Sequence, residues 1–112
     1  MTSFIQKLDV IKNALLGMDD DIMIYHYWRS AKATRYIIWQ EDMAVSLEAG
    51  NHKVEQGVSG VIELFTKSEN DSCFDKIQEA LNTTDNVSWR YDGTDYEEET
   101  NFIHHSWRWT VL

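Results

Sequence analysis

Residues 102–112, FIHHSWRWTVL, constrain the fold more than any other stretch. In an extended strand, successive side chains point to opposite faces. Ile103, His105, Trp107, Trp109 and Val111 then share one face, which is almost wholly apolar. His104, Ser106, Arg108 and Thr110 share the other. A tryptophan row with a polar back is the pattern of a sheet packed on one side only. The alternation therefore predicts a closing strand whose Trp107 and Trp109 anchor a core. It also separates the adjacent histidines, so a regular strand cannot bring both to one ion. One histidine is expected half-buried beside the tryptophans and the other solvated.

The rest of the chain supplies partners for that strand. Over residues 3–16, Phe4, Leu8, Ile11 and Leu15 recur at helical spacing and form one apolar stripe. Ser3 fits the N-cap, and Gly17 falls where a left-handed C-cap is usual. Residues 22–28, IMIYHYW, are β-branched and aromatic and read as a strand. Residues 35–42, RYIIWQED, read as a second strand, antiparallel to the first across the polar link RSAKAT. Residues 43–53 are weakly patterned, but Glu48-Ala49-Gly50-Asn51 is a turn signal, which places a hairpin or extended arm here. Residues 54–66 follow as a strand, with a bend or bulge expected at Gly57 and Gly60.

A second helix is predicted over 73–82, with Phe74, Ile77 and Leu81 on one face and Asp71 or Ser72 as N-cap. Residues 87–92 alternate Val87, Trp89 and Tyr91 against Ser88, Arg90 and Asp92, as a half-buried strand does. That strand is expected to hairpin with the last one across the acidic turn 95–101. The order is α-β-β-β-α-β-β. It predicts one α+β domain over residues 1–112, with a single antiparallel or mixed sheet of about five strands and two helices on one face.

Charge and motif content then exclude most chemistry. Ten Lys and Arg against 19 Asp and Glu give a formal charge of −9. A phosphate-backbone binder needs cations to release counterions, and anionic membranes attract basic surfaces, so neither partner is expected. The pairs Trp28-Arg29, Trp89-Arg90 and Trp107-Arg108-Trp109 suggest base stacking. Strand alternation sends each arginine away from its tryptophan, so sequence-specific nucleic-acid recognition is not expected. Cys73 is the one cysteine. That forbids an intrachain disulfide and suits a reducing compartment. Its place at a helix start lacks a neighbouring base, so it reads as a packed thiol. No His-Glu-x-x-His, spaced calcium loop or phosphate-binding glycine loop occurs. Asp19-Asp20-Asp21 and Glu97-Glu98-Glu99 read as solvated turns. No run has the length and apolarity of a membrane helix. No catalytic, cofactor-binding or metal residue is predicted, and no enzyme.

The stretches YIIWQED, GVIELFTKSENDSCFDKIQEALN and VSWRYDGTDYEEETNFIHHSWRW together resemble tail completion or tail terminator proteins of tailed bacteriophages and prophages. The resemblance covers nearly the whole chain and rests on phrases rather than on a catalytic motif. It implies a non-enzymatic virion component that joins tail to head. Such proteins form a ring, often a hexamer, at the head-proximal end of the tail tube, where they meet the head connector. The implied location is the bacterial cytoplasm during assembly and then the virion tail. By position, Met43, Val45, Leu47 and Val54 would lie in an arm used between subunits. DNA would pass through such a ring, and an acidic lumen would repel it. Asp92, Asp95, Glu97, Glu98 and Glu99 are the candidates to face that channel. The competing expectation is a small acidic binding module of regulatory or immunity type, whose charge suits a cationic partner.

Overall fold

The computed structural model describes residues 3–30, 32–49 and 52–112, with the side chains of residues 47–55 outside the description. The elements follow the predicted order: α1 Phe4–Leu16, β1 Met23–His26, β2 Tyr36–Ala49, β3 His52–Thr66, α2 Cys73–Thr83, β4 Val87–Glu97 and β5 Phe102–Val111. The strands form one mixed sheet in the order β1-β2-β3-β5-β4. Both helices cover the same face, and the fold is α+β.

The core sits between that face and the helices. Trp107 and Trp109 are fully buried, as are Ile11, Ile37, Val58, Ile62, Leu64, Ile77 and Leu81. Register explains the set. Trp39, Ile62, Trp107 and Tyr91 stand opposite one another across β2, β3, β5 and β4, so alternation puts them on one side. The indole N–H of Trp107 donates to Gln78 Oε1 of α2 at 3.1 Å. The Trp109 indole N–H is buried and finds no acceptor among the described residues.

α1 starts as predicted. Ser3 and Gln6 form a reciprocal capping box, with Gln6 N–H donating to Ser3 Oγ at 3.1 Å and Ser3 N–H to Gln6 Oε1 at 2.9 Å. Its buried stripe is Lys7, Ile11 and Leu15, while Phe4 stays 39% exposed. Lys7 is accommodated because its ammonium donates to the Gln56 carbonyl of β3 at 2.5 Å. Gly17 departs from the expected left-handed cap. It has φ −79°, and its N–H still donates to Asn13 O, so the helix ends in a right-handed turn. At α2, Asp71 rather than Ser72 supplies the cap, its Oδ1 accepting from Cys73 N–H at 2.9 Å.

Two strand expectations are corrected. β1 and β2 are parallel, not antiparallel, with Met23 opposite Tyr36 and His26 opposite Trp39. The polar link is therefore not a hairpin turn. Tyr27 takes φ 77°, with its N–H bonded to Trp39 O at 3.1 Å, and the chain then leaves the sheet edge. Trp28 stacks on Tyr25, and the Arg29 guanidinium lies 5.4 Å from the centre of the Tyr36 ring. Tyr25 and Tyr36 alternate with the core residues Ile24 and Ile37, so this strap returns across the helix-free face to the start of β2.

The second correction concerns the glycines of β3. The bulge lies on the partner strand, between Glu41 and Met43, opposite Gly60 and Ser59. Gly60 is required for space: a Cβ there would lie 2.1 Å from the Gln40 carbonyl oxygen and 2.5 Å from the Trp109 ring. A further bulge falls between Tyr91 and Gly93 of β4, where Gly93 takes φ 127°. That backbone conformation favours glycine.

β2 and β3 outrun their neighbours. β1 pairs only with residues 36–39 of β2, and β5 only with residues 58–66 of β3. Beyond them the two strands continue as a two-stranded arm, the extended arm that the turn signal predicted. It accounts for a shape of 51 × 27 × 23 Å and a radius of gyration of 15.2 Å. A compact chain of this length has a radius of about 13 Å.

Candidate assembly surface on the helix-free face

The helix-free face carries the chemistry that the core does not. Across four strands the register aligns Tyr36, Phe65, His104 and Asp95 in one transverse row. Tyr36 and Phe65 stack with centroids 4.8 Å apart, and Phe65 and His104 at 4.3 Å. Phe102 closes edge-on against both Tyr36 and Phe65, with Lys67 Nζ 5.0 Å from its ring centre. The strap over this row leaves Tyr36 only 2% exposed. The sequence showed these aromatics but not their alignment, because the register that joins them spans residues 36 to 104.

Charged pairs fill the remainder. The Arg108 guanidinium donates to both Asp42 oxygens, at 3.1 and 2.9 Å. Arg90 Nε donates to Asp92 Oδ1 at 2.8 Å. His104 Nε2 lies 3.5 Å from Glu63 Oε2. Glu63 raises the His104 pKa despite opposing burial, with Glu97 and Asp95 adding to the effect.

The two histidines diverge, as alternation predicted. His105 turns to the helix side, against Phe74 and Trp107, and burial lowers its pKa. Its partner is not solvated, contrary to expectation: His104 is half-buried by its stack on Phe65. Among the described residues no group of three or more His, Cys, Asp or Glu side chains converges as a metal site would. Cys73 is fully buried, and burial pushes its thiol pKa up to about 12, so it is held protonated.

The acidic candidates do not all fall on one face. Asp95 and Glu97 stand opposite His104 and Phe102, on the helix-free side. Asp92 is the bulged residue, and Glu98 and Glu99 lie in the exposed β4–β5 turn. Thr100 Oγ1 donates to Glu97 Oε2 at 3.0 Å and Asn101 N–H to Glu97 O at 2.8 Å, which fixes that turn. The turn lies at the end of the sheet remote from the arm. Of the four interface candidates, Met43 is 59% exposed before the arm begins, opposite Ser59, and Val45 is half-buried on the arm opposite Gly57. The side chains of Leu47 and Val54 lie outside the described ones, though their backbones belong to β2 and β3.

Two polar nodes escaped the sequence reading. Arg35 forks onto both Asp20 and Asp71, with four contacts of 2.8–2.9 Å. Thr66 Oγ1 adds a bond to Asp71 Oδ2 at 2.7 Å. The node ties the turn before β1, the start of β2 and the cap of α2 together. Hydrogen bonds from Arg35 hold the Asp71 carboxyl well below the usual range despite its burial. In the second node, His26 is sandwiched between Trp39 and Tyr27, both centroids at 3.9 Å. Glu41 accepts from His26 Nε2 at 2.7 Å and from the Tyr27 hydroxyl. Neither node has a local spacing signature, because the bonds made by Arg35 and Glu41 span 14–36 positions.

Neither the protein-family models nor the curated proteins searched match this chain. No described helix is long and apolar enough to cross a membrane.

Proposed function

We propose that this chain is a structural virion component of a tailed phage or prophage, a tail terminator or completion protein that assembles as a ring and joins tail to head. The observation that carries this reading is the two-sidedness of the sheet. One face is sealed by helices. The other carries Glu63, Asp95 and Glu97 and no helix, and a two-stranded arm projects past both. A ring subunit needs a rigid body, a reach to its neighbour and a channel face that does not hold DNA. The acidic side chains would meet that last need by repulsion. Asp92, Asp95, Glu97, Glu98 and Glu99 then border the channel, and Met43, Val45, Leu47 and Val54 lie in contacts between copies. The partners are further copies of the chain, in a ring that such proteins often form as a hexamer, together with the tail tube and the head connector.

Electron microscopy of virions made without the gene tests this. Overlong tails, or tails without heads, are the expected outcome. Tails of normal length joined to heads would end the proposal. The second reading, a small acidic regulatory or immunity-type module, is favoured by the charge of −9. It predicts a stable monomer that captures one basic partner at a 1:1 ratio.

A further inference from the structure

We infer that residues 28–34 form a flap over the helix-free face, which lifts while the sheet stays folded and uncovers the Tyr36 end of the aromatic row. Both ends of the flap are fixed. Before it, Tyr27 donates its N–H to Trp39 O at 3.1 Å and its hydroxyl to Glu41, and its ring stacks on His26. After it, Arg35 forks onto Asp20 and Asp71. Tyr27 takes φ 77°, a region that a bulky side chain rarely enters, so those contacts set the path by which the chain leaves β1.

Between the fixed ends the hold is slight. Among the described residues, the hydrogen bonds of the flap stay within it. Ala33 N–H donates to Ser30 O at 3.1 Å, Lys32 N–H to Ser30 Oγ at 3.4 Å, and the Arg29 guanidinium to Ser30 O at 3.2 Å. The turn they close can move as a unit without breaking a hydrogen bond to the sheet. Two ring contacts tie it down: Trp28 stacks on Tyr25 with centroids 6.3 Å apart, and Arg29 lies over Tyr36. Trp28 is still 70% exposed in that position. Its burial holds the flap weakly, because the hydrophobic gain scales with the area removed from water. Arg29, Ser30, Lys32 and Thr34 are polar and exposed. A segment with few buried apolar contacts is one that opens locally at low cost.

What lies beneath is apolar. Tyr36 is 2% exposed, while Phe65 and Phe102 beside it are half-buried. The Tyr36 ring stacks on Phe65 and meets Tyr25 and Phe102 edge-on. Lifting the flap leaves those contacts in place and joins Tyr25, Tyr36, Phe65 and Phe102 into one uncovered aromatic surface. The helix-free face then has two states, and the open one is the more apolar. The inference does not use the ring reading, and its test needs only the isolated chain.

Tyrosine nitration by tetranitromethane tests the flap, with Tyr36 followed by peptide mass spectrometry at no more than one modification per chain. The reagent is far larger than water, so it does not reach a ring 2% exposed in the closed form. Rates are measured from zero urea to the start of the unfolding transition. Lifting exposes little surface, so the Tyr36 rate should rise with urea at under about a fifth of the slope of global unfolding, read by circular dichroism. Trp28→Ala with Arg29→Ala removes both ring contacts. It should raise the Tyr36 rate about ten-fold or more relative to Tyr96, which is 59% exposed and reports the reagent itself. Where the double variant shifts the unfolding midpoint, rates are compared at equal global stability.

A Tyr36 rate that follows the global unfolding curve would overturn the inference, because the ring would then be reached only through the unfolded chain. So would a double variant whose Tyr36 reacts no faster than that of the unaltered chain.

Discussion

The two faces of the sheet are built from the same strands and do different work. On the helix side, Trp107, Trp109, Ile62 and Leu64 are fully buried, and the chemistry there is packing. On the other side, the row Tyr36, Phe65, His104 and Asp95 passes from a buried ring to an exposed carboxylate within one line of register. The first face holds the fold together. The second is only partly covered and carries charged side chains. Alternation at period two lets one strand serve both, so each substitution can be aimed at one face and leave the other standing.

The largest expected effect is on the covered face. Trp107→Ala should cost about 3–5 kcal/mol, from lost transfer energy and the cavity left behind. Phe65→Ala, on the helix-free face and half-exposed, should cost less than half as much in the same urea titration. Equal losses would mean that the bare face carries as much of the fold as the core does.

Asp71→Asn should follow, at roughly 2–3 kcal/mol, because it leaves part of the Arg35 fork without an acceptor. The pH dependence has a definite sign. The folded carboxyl is held below its ordinary value, so its contribution is present above about pH 3.9 and is lost as pH falls through the folded pKa. The variant and the unaltered protein should therefore converge in stability in strong acid, as measured by urea unfolding across that range. A gap that persists unchanged in acid would deny the ion pair its role.

The smallest effect is on the helix-free face itself. Glu63→Gln should cost under about 1 kcal/mol, because the pair with His104 is partly exposed. The His104 pKa is raised in the fold, so the pair's contribution is present below the ordinary histidine value of about 6.5 and is lost as pH rises through the folded pKa. Thermal melts of the two proteins should differ at about pH 6 and coincide at about pH 8. A difference that grows with pH would contradict the pairing.

What was legible in the sequence follows from range. Helices, strands and the split of His104 from His105 depend on neighbours within four positions, and periodicity reports those directly. The arm was legible only through its turn residues, since a two-stranded arm has no core to impose a pattern. The parallel pairing of β1 with β2 was not legible. A short polar link reads as a hairpin, and only Tyr27 at positive φ, with Trp28 and Arg29 laid on Tyr25 and Tyr36, turns it into a strap. A tyrosine in that conformation has no sequence signature. The bulge expected at Gly57 and Gly60 was assigned to the wrong strand, because Gly60 makes room for its partner's extra residue. The Arg35 and His26 nodes were invisible because their members meet only after the sheet has formed. The carboxylates from Asp92 to Glu99 were visible as a cluster, but register alone divides them between a face, a bulge and a turn.

The most direct measurement is the structure of the assembled protein on a tail, by cryo-electron microscopy. The account predicts a closed ring with the helices outward and the helix-free face toward the axis. Asp95 and Glu97 should border the channel. A ring with α1 and α2 lining the channel, or with Asp95 and Glu97 on its outer rim, would contradict it.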